Sequence, residues 1–232
     1  MTASKAVVLV GTLALLASTR ATSAAEGGWT TLFDGTSTKA WRCYDKPDIP
    51  AGVWTIDNGT LKTMPGVKER CDLITREKYK DFELELEWKL PPGGNSGIMY
   101  RVGELGAPSE TWHSGPEMQA LDDAKHRDGT DPRTSAGALY GLIAPSNKTL
   151  HPAGEWNKAG IVVRGTHVEH WLNGKMVVEY EWGSPQLQTL IGDSKFKDMP
   201  RFAKEQDGYI AIQHHGEEAW FRNIRIRRLP SN

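Results

Sequence analysis

The sequence predicts an all-β sandwich of two antiparallel sheets with little helix, and three observations predict it. Residues 82–90 read Phe-Glu-Leu-Glu-Leu-Glu-Trp-Lys-Leu, an apolar/charged alternation of period two that only a half-buried strand satisfies. Two Asn-Gly pairs, Asn58-Gly59 and Asn173-Gly174, lie between β-rich runs, and this dipeptide supplies the positive φ angles of a tight hairpin. The 232 residues include 24 Gly, 13 Pro and nine Trp but no long Leu/Ala/Glu/Lys stretch, so turns are plentiful and long helices are not expected.

From the N-terminus, Lys5 precedes an apolar run over 6–17 and then small residues up to Ala25, the pattern of a secretory signal peptide. The run is shorter than the roughly 20 apolar residues of a membrane span, and no Cys follows it to carry a lipid. Cleavage near Ala24 or Ala25 would release an unanchored protein, periplasmic or secreted, with one domain over 26–232. Its hairpins have arms 53–56 with 60–63 and 167–172 with 175–180. Further strands are expected at 82–90, 97–102, 117–121, 160–164, 209–214 and 220–228, a spacing suited to a sandwich. Residues 194–206, interrupted by Pro200, form the one expected helix, and the turn-rich stretch 122–138 reads as a functional loop. Trp54, Trp88 and Trp220 are expected in the core. In an oxidising compartment Cys43 and Cys71 can pair, the alternative being two separate buried thiols.

Twenty-eight basic residues balance 29 acidic ones, and without the leader the count is 26 against 29. No Lys/Arg cluster is present, which argues against a nucleic-acid partner. Nucleophile-elbow, phosphate-loop and dinucleotide motifs are absent, so acyl-transfer and hydride chemistry by those routes are unsupported. The histidines show no metal-ligand spacing: His126 and His151 sit in turns, His167 and His170 fall on opposite faces of a hairpin arm, and His113 reads as a loop residue.

Alternation also sorts three other strands. Over 97–102 the core side takes Ile98, Tyr100 and Val102, leaving Met99 and Arg101 opposite. Over 117–121 Met118 and Ala120 face the core, so Glu117 and Gln119 share the other face, with Asp122 at the strand end. Over 209–215 Ile210 and Ile212 face inward, and Tyr209, Gln213 and His215 lie opposite. Within one sheet these strands would gather Arg101, Glu117, Gln119, Gln213 and His215. Amides and carboxylates bind sugar hydroxyls and aromatic rings stack on sugar C–H faces, so the set suits a carbohydrate.

At these residues the sequence closely resembles the 3-keto-disaccharide hydrolase family. The resemblance runs through Leu32-Phe-Asp-Gly35, Trp54-Thr-Ile-Asp-Asn-Gly59, Asp81-Phe-Glu-Leu84 and Pro91-Pro-Gly-Gly-Asn-Ser-Gly-Ile98. It continues in Pro116-Glu-Met-Gln-Ala-Leu-Asp122, Gly137-Ala-Leu-Tyr-Gly141, Pro152-Ala-Gly-Glu-Trp-Asn157, Trp171-Leu-Asn-Gly174, Gln213-His-His-Gly216 and Trp220-Phe-Arg-Asn-Ile-Arg-Ile226. His214 departs from the family pattern, in which an acidic or amide residue is commoner before the His-Gly pair. The resemblance implies a concanavalin-like jelly-roll sandwich in exported bacterial proteins acting on glycosides oxidised at the sugar 3-position.

That substrate changes the chemistry expected. Ordinary glycosidases use two carboxylates across the anomeric carbon, and here Gln119 stands where a laminarinase-type Glu-x-Asp-x-x-Glu pattern would place an acid. A 3-keto group acidifies the C2 hydrogen, so one base and one enolate stabiliser suffice. The expected catalytic set is Glu117 or His215 as base and Arg101 as enolate stabiliser, with Asp122 beside them. Gln119, Gln213, Asn95 and Asp122 would orient hydroxyls, and Tyr140 would move a proton or stack. No cofactor is required, although a divalent cation held by Glu117, Asp122 and His215 would serve equally well as stabiliser. The competing readings are a non-catalytic glycan-binding module and an endo-acting glycosidase on unoxidised glucan.

Overall fold

In the computed structural model, which describes Met1 and residues 28–230, alternation becomes two stacked sheets. The strands are β1 (Thr30–Phe33), β2 (Trp41–Cys43), β3 (Trp54–Asp57), β4 (Thr60–Thr63), β5 (Leu73–Thr75), β6 (Phe82–Lys89) and β7 (Asn95–Val102). They continue with β8 (Glu117–Leu121), β9 (Asn157–Arg164), β10 (His167–Leu172), β11 (Lys175–Glu181), β12 (Tyr209–Ile212) and β13 (Trp220–Arg228). The larger sheet runs β11-β10-β9-β6-β13-β4-β3 with β1 also on β13, and the smaller runs β2-β5-β12-β7-β8. Every pairing is antiparallel. The expected sandwich is thus observed. The expected leader lies outside the described residues apart from Met1, and among the described residues no helix is long and apolar enough to cross a membrane.

Strand β6 shows why the sheets stack. Phe82, Leu84, Leu86 and Trp88 are buried while the Glu and Lys between them are half-exposed. Facing them across the core are Ile98 and Tyr100 of β7, Met118 and Ala120 of β8, and Ile210 and Ile212 of β12. Each such side chain contributes about 1.5–3 kcal/mol by leaving water. Both Asn-Gly pairs form the expected hairpins, with positive φ at Asn58 (48°), Gly59 (74°), Asn173 (49°) and Gly174 (80°).

Three strands escape a pattern search for physical reasons. β1, β2 and β5 are only three or four residues long, and Leu73, Ile74 and Thr75 are all buried, so β5 has no polar face to reveal its period. The expected helix at 194–206 is not formed. Residues Lys195–Asp198 make one 3₁₀ turn, capped by Ser194 Oγ accepting from the Phe196 N–H at 3.1 Å, and Pro200 admits no regular helix beyond it. The α-helix is α1 (Pro185–Gly192), which starts where Ser184 Oγ accepts from the Leu187 N–H and Pro185 takes the first turn. Trp54 and Trp88 are in the core as expected. Trp220 instead lies half-exposed on the outside of the large sheet, with the ammoniums of Lys62 and Lys89 5.2 and 4.7 Å from its ring. Cys43 and Cys71 form a disulfide that ties β2 to the segment before β5.

Candidate active site

The outer face of the small sheet carries the site. Register places Glu117 opposite Met99 and Gln119 opposite Gly97, and the Gln213 N–H donates to the Gly97 carbonyl at 3.0 Å. Glu117, Gln119 and Gln213 therefore lie on the side away from Met118, Ala120 and Ile212, as alternation predicts. They border a cavity of about 810 Å³, which Asn95, Tyr140 and His215 also line. The volume is in the range of small-molecule sites.

Glu117 lies directly over Gly97: a Cβ built there would fall 1.8 Å from Glu117 Oε1. The carboxyl group can occupy this place only because residue 97 has no side chain. Glu117 is 8% exposed, and among the described residues no donor hydrogen-bonds its carboxylate. Burial pushes its pKa up to about 8; Lys195 opposes the shift, and the charges of Asp72 and Asp128 add to it. The neighbouring acids are engaged. Asp72 accepts from Thr111 Oγ1 and from the His214 N–H, the latter at 2.8 Å, and so joins the turn Thr111–His113 to the chain leaving β12. Asp128 accepts from the Tyr140 hydroxyl at 3.2 Å.

His215 is oriented from two sides. Its Nδ1 is 2.9 Å from Glu217 Oε2, and since a carboxylate can only accept, Nδ1 carries the proton. Nε2 then accepts, 3.4 Å from the Asn95 amide nitrogen. Arg70 donates to the His215 carbonyl. His214, beside it, turns inward and packs edge-on against Trp54, with centroids 5.5 Å apart. Gln119 accepts from the Ala120 N–H with Oε1 at 3.1 Å, so its amide N–H groups stay available for a ligand.

Two residues expected in this group lie elsewhere. Arg101 adopts a left-handed backbone (φ 49°) at a break in the β7–β12 register, and the bulge reverses alternation beyond it. Val102 joins Met99 and Ala211 on the outer face, while Arg101, 0% exposed, turns away, stacks 4.6 Å from the Trp182 ring and donates to the Lys80 and Gly165 carbonyls. It does not line the cavity. Asp122 is a turn organiser, accepting from the Gly93 N–H at 2.7 Å and the Ala124 N–H at 3.2 Å, and it faces a separate shallow groove. Glu117, Asp122 and His215 consequently do not converge, and among the described residues no three His, Cys, Asp or Glu side chains form a metal-ligating group.

Periodicity missed the residues that reach the cavity from loops: Asp72, Trp112, Arg127, Asp128 and Lys195. The stretch 122–138 reaches the cavity through the 3₁₀ turn Arg127–Thr130, with Arg127 and Asp128 on its lining. His113 is a loop residue as expected, its Nδ1 accepting from the Glu110 N–H. Tyr140 lines the cavity, with burial pushing its hydroxyl up to about 12.

An antiparallel two-sheet sandwich with a polar, aromatic-bordered cavity on the outside of one sheet defines the class: a β-sandwich protein with a small-molecule site. Within it, the chain belongs to the 3-keto-alpha-glucoside-1,2-lyase-like domain family, which it matches over residues 28–227. A 3-keto-disaccharide hydrolase from Bacteroides thetaiotaomicron is 37% identical over 229 residues, spanning 87% of this chain and 79% of that relative. A solved structure from Parabacteroides distasonis, provisionally named a glycosyl hydrolase, superposes with a TM-score of 0.80 at 27% identity, covering 88% of this chain and 94% of its own. A Bacillus subtilis protein with a galectin-like fold superposes with a TM-score of 0.56 at 13% identity, covering 88% and 96% of the two chains, a likeness of fold alone. At the level of the family, the function is that of a glycoside-cleaving hydrolase.

Proposed function

We propose that the protein cleaves glycosides oxidised at the 3-position by elimination followed by hydration. The observation that carries this is Glu117, a buried carboxylate without a hydrogen-bond donor, facing a sugar-sized cavity. Asp72 and Asp128, the acids whose charges reach Glu117, are already hydrogen-bonded. A single strong base is what a 3-keto sugar needs.

Glu117 removes the C2 proton, whose bonding pair moves toward the C3 carbonyl. The C1–O bond then breaks, and the aglycone oxygen leaves with its electron pair and takes the proton that Glu117 removed, while His215, with Nε2 as acceptor, orients the water that follows. Water adds to C1 and a proton returns to C2, so the net change is hydrolysis. The first half is a 1,2-elimination, matching the family's name, and the whole matches the name of the Bacteroides relative. A base whose pKa is raised to about 8 is stronger than an ordinary carboxylate, and the rate should rise with pH through that value. Asn95, Gln119 and Gln213 orient ring hydroxyls, and Tyr140 and Trp112 border the ring.

Incubating the purified protein with a native disaccharide and with its 3-keto form, and following free sugar and the conjugated enone, tests this reading. Release from the keto form alone is expected. Release from neither identifies a glycan-binding module, and release from the native sugar identifies an ordinary glycosidase.

A further inference from the structure

Elimination through an enolate puts negative charge on the substrate's 3-oxygen, and Arg101, the cation expected to meet it, points away from the cavity. We propose that Lys195 supplies that charge. The assignment rests on the 3-keto elimination and goes beyond it by naming the group that makes C2 acidic.

Lys195 opens the 3₁₀ turn that Ser194 caps, and its side chain enters the cavity that Glu117 lines. Its ammonium lies 4.3 Å from the centroid of the Tyr140 ring and 5.0 Å from that of Trp112. Aromatic faces hold a cation by their quadrupoles without taking any of its N–H donors. Among the described residues Lys195 makes neither a hydrogen bond nor an ion pair, whereas Lys148 is bound by Asp123 and Ser135 and Lys158 by Glu85. Three donors are therefore available on a cation whose position is set by three rings, that of Phe196 lying 5.1 Å away.

Lys195 and Glu117 sense each other's charge without forming an ion pair, since each appears as an electrostatic influence on the other. Direct contact would neutralise the base and occupy the cation. With the two on one cavity, a ring placed between them can offer its C2 hydrogen to Glu117 and its 3-oxygen to Lys195. As the C2–H bond breaks, its electron pair shifts onto the 3-oxygen and is met by the ammonium N–H groups. Charge already in place where charge develops accelerates the step without reorganisation.

The test compares wild type with Lys195→Met, Lys195→Gln and Lys195→Arg on a 3-keto-glucoside, reading kcat, KM and exchange of the C2 hydrogen in D2O, with thermal unfolding as a folding control. A wild type that neither releases sugar nor exchanges C2 removes the elimination reading itself, independently of Lys195. With an active wild type, folded Lys195→Met or Lys195→Gln should lose about 10²–10³-fold in kcat, the cost of removing one preorganised donor. C2 exchange should slow in parallel, KM should change little, and Lys195→Arg should recover part of the rate. Retention of wild-type kcat, or a loss confined to KM, overturns the proposal. So does a substrate trapped on Lys195 by borohydride, which would make the amine covalent, or activity abolished by chelation and restored by a divalent cation.

Discussion

On the outer face of the large sheet, Glu85 and Glu87 of β6 meet Arg225 and Arg222 of β13 at 2.6 and 2.7 Å, and Glu83 meets Arg227. Trp29 and Trp156 lie against the same guanidiniums, with Arg225 4.5 Å and Arg222 4.1 Å from their rings. On the outer face of the small sheet Glu117 and Lys195 have no such partners. The consequence appears in the carboxyl groups. Partial burial pushes Glu85 up, but hydrogen bonds from Lys158 and Arg225 outweigh it and hold the group below the usual carboxylate range. Burial of Glu117 meets no such compensation. Glu85 and Glu87 are spent on their partners, and Glu117 is kept for something that arrives.

The sharpest way to break this contrast is to neutralise one acid on each face. Glu117→Gln should lower cleavage of a 3-keto-glycoside by about 10²–10⁴-fold, the range for losing a general base. Glu85→Gln should leave it unchanged. Comparable kcat values for both variants would show that pairing does not separate working from idle carboxylates.

Gly97→Ala probes the same contrast through space alone. The added methyl would take the position of Glu117 Oε1, and a carboxylate displaced by about an ångström costs on the order of 10²-fold in kcat. Unaltered kcat in a folded Gly97→Ala protein would show that Glu117 works from another position.

Stability against pH gives a smaller effect with a definite sign. Glu117 titrates near 8 in the folded protein against an ordinary 4.5, so the folded state holds the proton more tightly. Its contribution is fully present below about pH 4.5 and is lost as pH rises toward 8, reaching roughly 3 kcal/mol at pH 7 as an upper bound. Glu117→Gln should flatten this slope, so the variant should gain on wild type in denaturant midpoint between pH 5 and 8. Parallel curves would show that burial does not perturb Glu117.

The smallest effect belongs to the paired face. Arg225→Ala should cost under about 1 kcal/mol, and less in high salt, because exposed ion pairs are weak and screened. A cost of several kcal/mol, measured by denaturant unfolding, would make the ladder a structural element rather than a solvated surface.

The large sheet was nearly all legible in the sequence, because β6 and the Asn-Gly hairpins obey one local period. The face bearing Glu117, Gln119 and Gln213 was legible for the same reason. Arg101 was misplaced because one left-handed residue shifts the phase of a strand, and neither its neighbours nor its own identity announces the shift. Lys195 was invisible for a different reason. Nothing in Ser194-Lys-Phe-Lys197 distinguishes one lysine from the next, and only the approach of Tyr140 and Trp112 from other segments does so.

Asp72 gives one carboxylate to two walls of the cavity, through Thr111 and the backbone of His214. Sharing an acceptor makes the two walls cooperative: loosening either frees a buried charge that strains the other contact. The segments that carry Trp112 and His215 are therefore tied through one shared acceptor. An insertion at either wall should be felt at both, and variation in what the cavity accepts has most room in rim residues that Asp72 does not hold.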